Sequence, residues 1–370
     1  MNVLIAGDFT PIDVENIIDR GYLRTFKDSM SNVDMSIINL ECPIVEDSFT
    51  PIQKNGPNLK CGKNACMILK ELGFNMVTLA NNHYLDYGTE GAENTIKVLN
   101  EYGIGYVGAG RNLAEASKSF YYNKDNKILA IINCCENEFS IATEISVGSN
   151  PLNPITQWYA IREAKQKADY VLVIVHGGHE LYQLPSPRMQ QLYRFFVDNG
   201  ADAVINHHQH CYSGYEIYNG KPIFYGLGNF YFPNYKKLNS MWNEGYMVKL
   251  SFPAVDFQII PYMTLDVGNI TILSGDEKKA FFKNIDRINR LLSDDILLKD
   301  EFNKMVKRKQ KAFLSDFLPM SLYGFPRFIN RRIIKFLLPR KRMLKRLNHI
   351  QCESHRDIMI ESIRNYIADL

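Results

Sequence analysis

The chain has 370 residues, enough for one large core and a smaller second unit. Its 46% hydrophobic and 22% charged content is ordinary for a globular protein, and no apolar run approaches the roughly 20 residues needed to cross a bilayer. The net charge of +3 hides an asymmetry: residues 304–350 hold 14 Lys and Arg and one acid, Asp316, leaving 29 basic and 39 acidic residues elsewhere.

In chain order, Met1-Asn-Val-Leu-Ile-Ala6 has no basic leader and no cleavage pattern. It runs into Gly7-Asp8 and is expected to be the first strand, not a signal peptide. Apolar spacing predicts helices over 13–30, 62–72, 89–101, 155–168 and 187–199. The last of these has a start signal in Ser186 between Pro185 and Pro187. Between the helices, strands are expected over Val3–Ala6, Met35–Ile38, Met76–Ala80, Tyr170–Val175 and Ala203–Ile205. Asn219-Gly220, flanked by Tyr215–Tyr218 and Pro222–Tyr225, signals a hairpin. After about 275 the pattern becomes helical. The expected organisation is an α/β layered domain over 1–270 and a basic helical extension over 275–370. Seven cysteines, two of them adjacent, make no disulfide framework and read as reduced, buried thiols of a cytoplasmic protein.

The five expected strands share one property. They end in Gly7-Asp8, Asn39-Leu-Glu41, Asn81-Asn82-His83, His176-Gly-Gly and Asn206-His207-His208-Gln209-His210. In layered α/β folds ligands gather outside the carboxyl ends of strands, so these side chains are expected to converge. Mixed oxygen and imidazole donors suit Mn, Fe or Zn better than a closed thiolate site, and could hold two ions around a shared carboxylate. Each piece alone is weak. Asn-Asn-His is common turn chemistry, and the two glycines inside His176-Gly-Gly-His179-Glu180 argue against a zinc-protease helix.

The ordered series Gly7-Asp8, Asn39-Leu-Glu41, Ala80-Asn-Asn-His83 with Asp86 and Gly88, His176-x-Gly178-x-Glu180, His207-His208-x-His210 and Leu227-Gly-Asn-Phe230 resembles the CapA-type family of poly-γ-glutamate capsule proteins. That family is a branch of the calcineurin-like metallophosphoesterase superfamily, and the resemblance covers roughly residues 2–233. It implies a four-layer αββα sandwich, two sheets face to face with helices outside, and a dinuclear metal site at the sheet ends. By position it implies metal ligation by Asp8, Glu41 (bridging), Asn82, His176, His208 and His210. His83 is implied as a proton donor or phosphate contact oriented by Asp86, and Asn81, Glu180, His207 and Asn229 as neighbours of the ligands or the substrate. Thr10 stands where the superfamily's first motif has histidine, which weakens the second metal position. His207 and His179 are expected to be hydrogen-bonded neighbours rather than replacements.

Residues 325–338 place Phe328, Ile329, Ile333, Phe336 and Leu337 on one helical face, with Arg327, Arg331 and Lys335 elsewhere. Such a helix either packs on the domain or lies on an anionic membrane through 325–347, which would put the protein at the inner membrane face. No nucleic-acid motif accompanies the charge. The expected function is a metal-dependent hydrolase of phosphoester type, its substrate a phosphoester or a polymer, in capsule or exopolysaccharide production. The alternative is a non-catalytic assembly factor of a membrane-associated polymer-synthesis machinery.

Overall fold

The computed structural model describes residues 1–12, 30–233, 240–264, 270–317 and 339–368. The predicted helix over 13–30 and the basic segment 325–338 fall outside the described residues, apart from Met30. The strands are β1 (Asn2–Phe9), β2 (Met35–Leu40), β3 (Met76–Thr78), β4 (Gly105–Val107), β5 (Ala109–Gly110), β6 (Phe120–Lys124), β7 (Lys127–Cys135) and β8 (Gly148–Ser149). They continue as β9 (Tyr170–His176), β10 (Ala203–His207), β11 (Tyr215–Tyr218), β12 (Lys221–Phe224), β13 (Asn229–Tyr231), β14 (Glu244–Ser251), β15 (Asp256–Thr264) and β16 (Ile270–Ile272). The helices are α1 (Asn64–Leu72), α2 (Gly88–Glu101), α3 (Leu113–Ala116), α4 (Pro154–Lys167) and α5 (Pro187–Asp198). After the last strand come α6 (Gly275–Leu292), α7 (Asp295–Phe317), α8 (Arg340–Gln351) and α9 (Glu353–Ala368).

Two large sheets result. One has the order β16-β15-β14-β1-β2-β3-β4, with β13 also paired to β1; the other has the order β11-β12-β10-β9-β7-β6. Strands β1 to β4 run parallel, as do β7, β9, β10 and β12; β14, β15 and β16 at one end of the first sheet, and β11 and β6 at the two ends of the second, are antiparallel to their neighbours. Alternation along β1 explains the layering. Val3 and Ile5 join a core with Ile131, Val173 and Ile205 of the second sheet. Leu4 and Ala6, pointing the other way, pack with Ile68 and Leu69 of α1 and Leu99 of α2. Ile161 of α4 and Phe196 of α5 belong to the core of the second sheet. The four-layer sandwich follows, helix–sheet–sheet–helix.

Local signals behave as their chemistry requires. Asn153 caps α4 through Oδ1, which accepts from Ile155 N at 2.9 Å, and Ser186 caps α5 by accepting from Met189 N at 3.2 Å. Each cap contributes about 1 kcal/mol. Asn219 and Gly220 both have positive φ, 49° and 75°, the geometry of a type I′ hairpin. All seven cysteines are buried and unpaired. The helices beyond 275 are not detached: Phe281 and Ile288 of α6, Leu298 and Phe302 of α7 and Ile358 of α9 share the core of the sheets. Among the described residues no helix is long and apolar enough to cross a membrane.

Candidate metal centre

Strands β1, β2, β9 and β10 run further than their apolar stretches suggest, and so carry polar residues as part of the sheet, whereas β3 ends at Thr78, short of the expected Ala80, and leaves Asn81, Asn82 and His83 on the loop that follows. Register then aligns them: Asp8 lies opposite Asn39 and Asn229, and His176 opposite His207. Gly7 permits this convergence, because a Cβ there would lie 1.9 Å from the carbonyl oxygen of Gly228. The adjacent Asp8 amide donates to that same oxygen at 3.1 Å.

Glu41 follows β2 and is fully buried, and neither carboxylate oxygen has a hydrogen-bond partner among the described residues. Burial pushes its carboxyl well above the ordinary range, and the charges of Asp8 and Glu180 push it further. Its Oε1 lies 3.5 Å from His176 Nε2 and 3.8 Å from His210 Nε2. His176 Nε2 is also 3.0 Å from Asn82 Oδ1 and 3.1 Å from His208 Nδ1. Lone pairs therefore outnumber protons around one point.

Two groups of three could hold a cation, Glu41-His176-His208 and Asp8-Glu41-His210, with ligand atoms within 4.8 Å of one another in each. Glu41 is common to both, as a bridging carboxylate must be. Two ligands about 2.1 Å from one ion sit roughly 3.4 Å apart in a tetrahedron. In the first group His176 Nε2 has this spacing to Glu41 Oε1, at 3.5 Å, and to His208 Nδ1, at 3.1 Å. In the second, His210 Nε2 is 3.8 Å from Glu41 Oε1, so that group is looser. The orphaned carboxylate and the neutral imidazoles thus fit a divalent transition metal.

Electrostatics prepare the ligands. Burial alone would raise the Asp8 carboxyl, but His207, His176 and His210 hold it below its usual range. Asp8 Oδ1 accepts from Asn39 Nδ2 at 2.7 Å, and Oδ2 accepts from the His208 amide at 3.2 Å. Burial depresses the His176 ring well below its ordinary value, with His208 adding to the effect. Burial also lowers His210, against the opposing charges of Glu180 and Asp8. Neutral rings are the form that binds metal. Asn229 Oδ1 lies 2.9 Å from His210 Nδ1, and its amide donates to the carbonyls of His210 and Trp242, so it orients this ligand. His208 and His210 both adopt positive φ, 93° and 55°, a strained backbone for residues other than glycine.

Around this nest, His83 and Asp86 form a second group. Nδ1 of His83 is 2.7 Å from Asp86 Oδ2, which also accepts from the Leu59 amide at 2.6 Å. Lys54 completes it. Its buried ammonium pairs with Asp86 Oδ1 and lies 3.1 Å from His83 Nδ1. Burial lowers the His83 pKa, Asp86 works against this and Lys54 with it. Burial and Lys54 thus favour the neutral ring, and the Asp86 carboxylate at Nδ1 favours the tautomer with its proton there. Lys54 carries no periodic or motif signal in Pro51-Ile-Gln-Lys54, and sequence reasoning missed it.

The remaining expected neighbours separate. Asn81 is a scaffold: its Nδ2 donates to the Leu40 carbonyl at 2.9 Å and its Oδ1 accepts from the His83 amide at 3.1 Å. Glu180 is solvent-accessible at the rim yet surrounded by protein; burial raises its carboxyl, and His210, His208 and His83 more than reverse this. His207 lies 3.4 Å from Asp8 Oδ1, but neither ring nitrogen has a hydrogen-bond partner among the described residues. His179, also without a partner at Nε2, packs its ring 5.6 Å from that of Phe302. The Thr10 hydroxyl is buried and makes no hydrogen bond among the described residues. After His176 the chain is a loop and not a helix, as the two glycines require.

A four-layer α/β sandwich with a carboxylate- and imidazole-rich nest at its strand ends defines a layered α/β protein with a candidate metal site. The family described as bacterial capsule synthesis protein PGA_cap matches residues 7–234, and the chain belongs to it. The capsule biosynthesis protein CapA of Bacillus anthracis is 35% identical over 211 residues, covering 55% of this chain and 51% of that protein. The PGA biosynthesis protein CapA of Bacillus subtilis (strain 168) is 36% identical over 198 residues, covering 52% of each. The chain thus spans about half the length of the curated relatives it matches. A crystal structure described as a novel phosphatase of Mycoplasma pneumoniae is 15% identical, covering 72% of this chain and 94% of its own, with a TM-score of 0.45.

Proposed function

We propose that the protein is a metal-dependent hydrolase of phosphoester type that serves capsule or PGA biosynthesis. The observation carrying this reading is Glu41, a buried carboxylate with no hydrogen bond, shared by two ligand triads. A bound divalent ion would supply Lewis-acid activation and neutralise charge on a phosphoryl or acyl oxygen. Asp8, Glu41, His176, His208 and His210 would hold it, with Asn82 beside His176.

The chain's own chemistry centres on His83. Asp86 fixes the proton on Nδ1 and sets the ring orientation, and Lys54 opposes formation of the imidazolium. His83 therefore enters the reaction as a hydrogen-bond or proton acceptor at Nε2. It becomes a donor to a leaving group only after taking up a proton, which Asp86 stabilises.

A non-catalytic assembly factor is the second reading. It is favoured by Thr10, which places an unpartnered hydroxyl where an imidazole would complete the weaker triad. A screen of phosphoesters with Mn2+-loaded protein separates the two. His83→Ala is expected to lower turnover about 10²- to 10⁴-fold, the usual contribution of a positioned acid–base group, without loss of metal. Equal background turnover by wild type and variant would favour the assembly reading.

A further inference from the structure

The helices α8 and α9 lie beyond the stretch matched by the family, yet they are bonded to a loop that touches two sides of the candidate site. That loop, residues 136–140, follows β7. On its outer side, three consecutive residues are held by the helices. Glu136 Oε1 accepts from Ser354 Oγ at 2.8 Å. Glu353 accepts from the Asn137 amide at 2.8 Å and from Asn137 Nδ2 at 2.6 Å. Glu138 accepts from Asn348 Nδ2 at 3.0 Å and, through its carbonyl, from Gln351 Nε2 at 2.6 Å. Ser354 and Cys352 are buried at this junction. A charge network reinforces it, with Arg188 of α5 donating to Glu136 at 2.8 Å and to Asp357 of α9 at 2.8 and 2.9 Å.

On its inner side the same loop meets both halves of the site. The Glu136 amide donates to the His176 carbonyl at 3.0 Å, and Glu136 Oε2 accepts from the Gly178 amide at 3.2 Å. Glu136 packs so closely on Gly177 that a Cβ there would lie 2.7 Å from its Cγ. Three residues on, the Phe139 ring lies 5.9 Å from the Lys54 ammonium. Ser140 Oγ then accepts from the Leu85 amide at 3.1 Å, inside the His83–Asp86 turn. One short loop thus braces the His176 turn and the His83 turn, and the C-terminal helices brace the loop.

We propose that α8 and α9 are the positioning element of the metal centre, acting through residues 136–140. The inference rests on the metal-centre reading. Outer groups that hold ligand-bearing turns set metal affinity, typically by 10- to 100-fold.

The test uses the full chain. Asn348→Ala with Glu353→Ala removes the ties of the helices to Asn137 and the Glu138 side chain. Hydrogen exchange at the Leu85 and Gly178 amides should then rise at least about tenfold, and Mn2+ affinity measured by calorimetry should fall by a similar factor. Glu353→Gln alone, which keeps one of the two acceptor oxygens that Asn137 uses, should change both by a smaller factor. Arg194→Ala, which cuts α5 from Glu216 and Asp295 away from the loop, should change neither. If the double variant does not fold, Asn137→Ala carries the same readouts at smaller size. Unchanged exchange at Leu85 and Gly178, an equal change in Arg194→Ala, or altered exchange with wild-type Mn2+ affinity would overturn the proposal. Wild-type protein that takes up no Mn2+ would defeat the metal-centre reading, and exchange at the two amides would still decide the mechanical link.

Discussion

The two halves of the site solve opposite problems. The nest of Asp8, Glu41, His176, His208 and His210 has more lone pairs than protons, a bare carboxylate and two ligands on strained backbone. The group of His83, Asp86 and Lys54 is internally closed, with an ion pair and a hydrogen bond to an imidazole. A closed network satisfies its own charges. An open one, buried in a low dielectric, destabilises the fold until a cation arrives. On the proposed reading, the contrast separates the residues that would hold an ion from those that would act beside it.

The largest expected effect breaks the nest. His208→Ala combined with His210→Ala should remove most bound transition metal, measured by elemental analysis of protein purified without chelators, while leaving His83 and its partners in place. Wild-type protein free of Mn, Fe and Zn under those conditions would sink the assignment. Next, Lys54→Met should destabilise the protein by about 3–5 kcal/mol in denaturant unfolding, because it leaves the buried Asp86 carboxylate without its cation. Its metal content should stay at the wild-type value, and loss of metal would show that the two halves are not separable.

The smallest effect concerns pH in the metal-free protein. His176, His179 and His210 are all depressed by burial from an ordinary value of 6.5. The unfolded chain therefore takes up protons below 6.5 that the folded chain refuses, so stability is full above that pH and is lost as pH falls. A ring whose folded value lies well below 6 contributes up to about 0.7 kcal/mol of loss between pH 7 and 6, while the raised Glu41 carboxyl works in the opposite direction. Flat stability across that interval in Glu41→Gln, which removes that carboxyl, read by urea titration, would contradict the neutral-ring description.

The candidate site was legible in the sequence because five apolar runs each stop at a polar residue. The hairpin at Asn219-Gly220 and the caps at Asn153 and Ser186 rest on local chemistry too, and local chemistry survives in sequence. What was not legible depends on distance along the chain. Lys54 reaches Asp86 from a loop with no periodicity. Glu136 follows β7 without any motif, and its partner Ser354 lies 218 residues away. Asn81, Asn82 and Asn229 look alike in sequence, yet one scaffolds a turn, one faces His176 and one orients His210. Only long-range register distinguishes them.

The left-handed backbone at His208 and His210 has a consequence for how the protein is maintained. A glycine at either position would relax the chain but remove an imidazole, so selection for stability and selection for ion binding pull these two positions in opposite directions. On the metal-dependent reading the ion settles that conflict. At a hundred times its dissociation constant a bound ion adds about 2.7 kcal/mol to the folded state. Metal supply then sets the steady-state amount of folded protein, and starvation for the ion would be seen first as a fall in abundance.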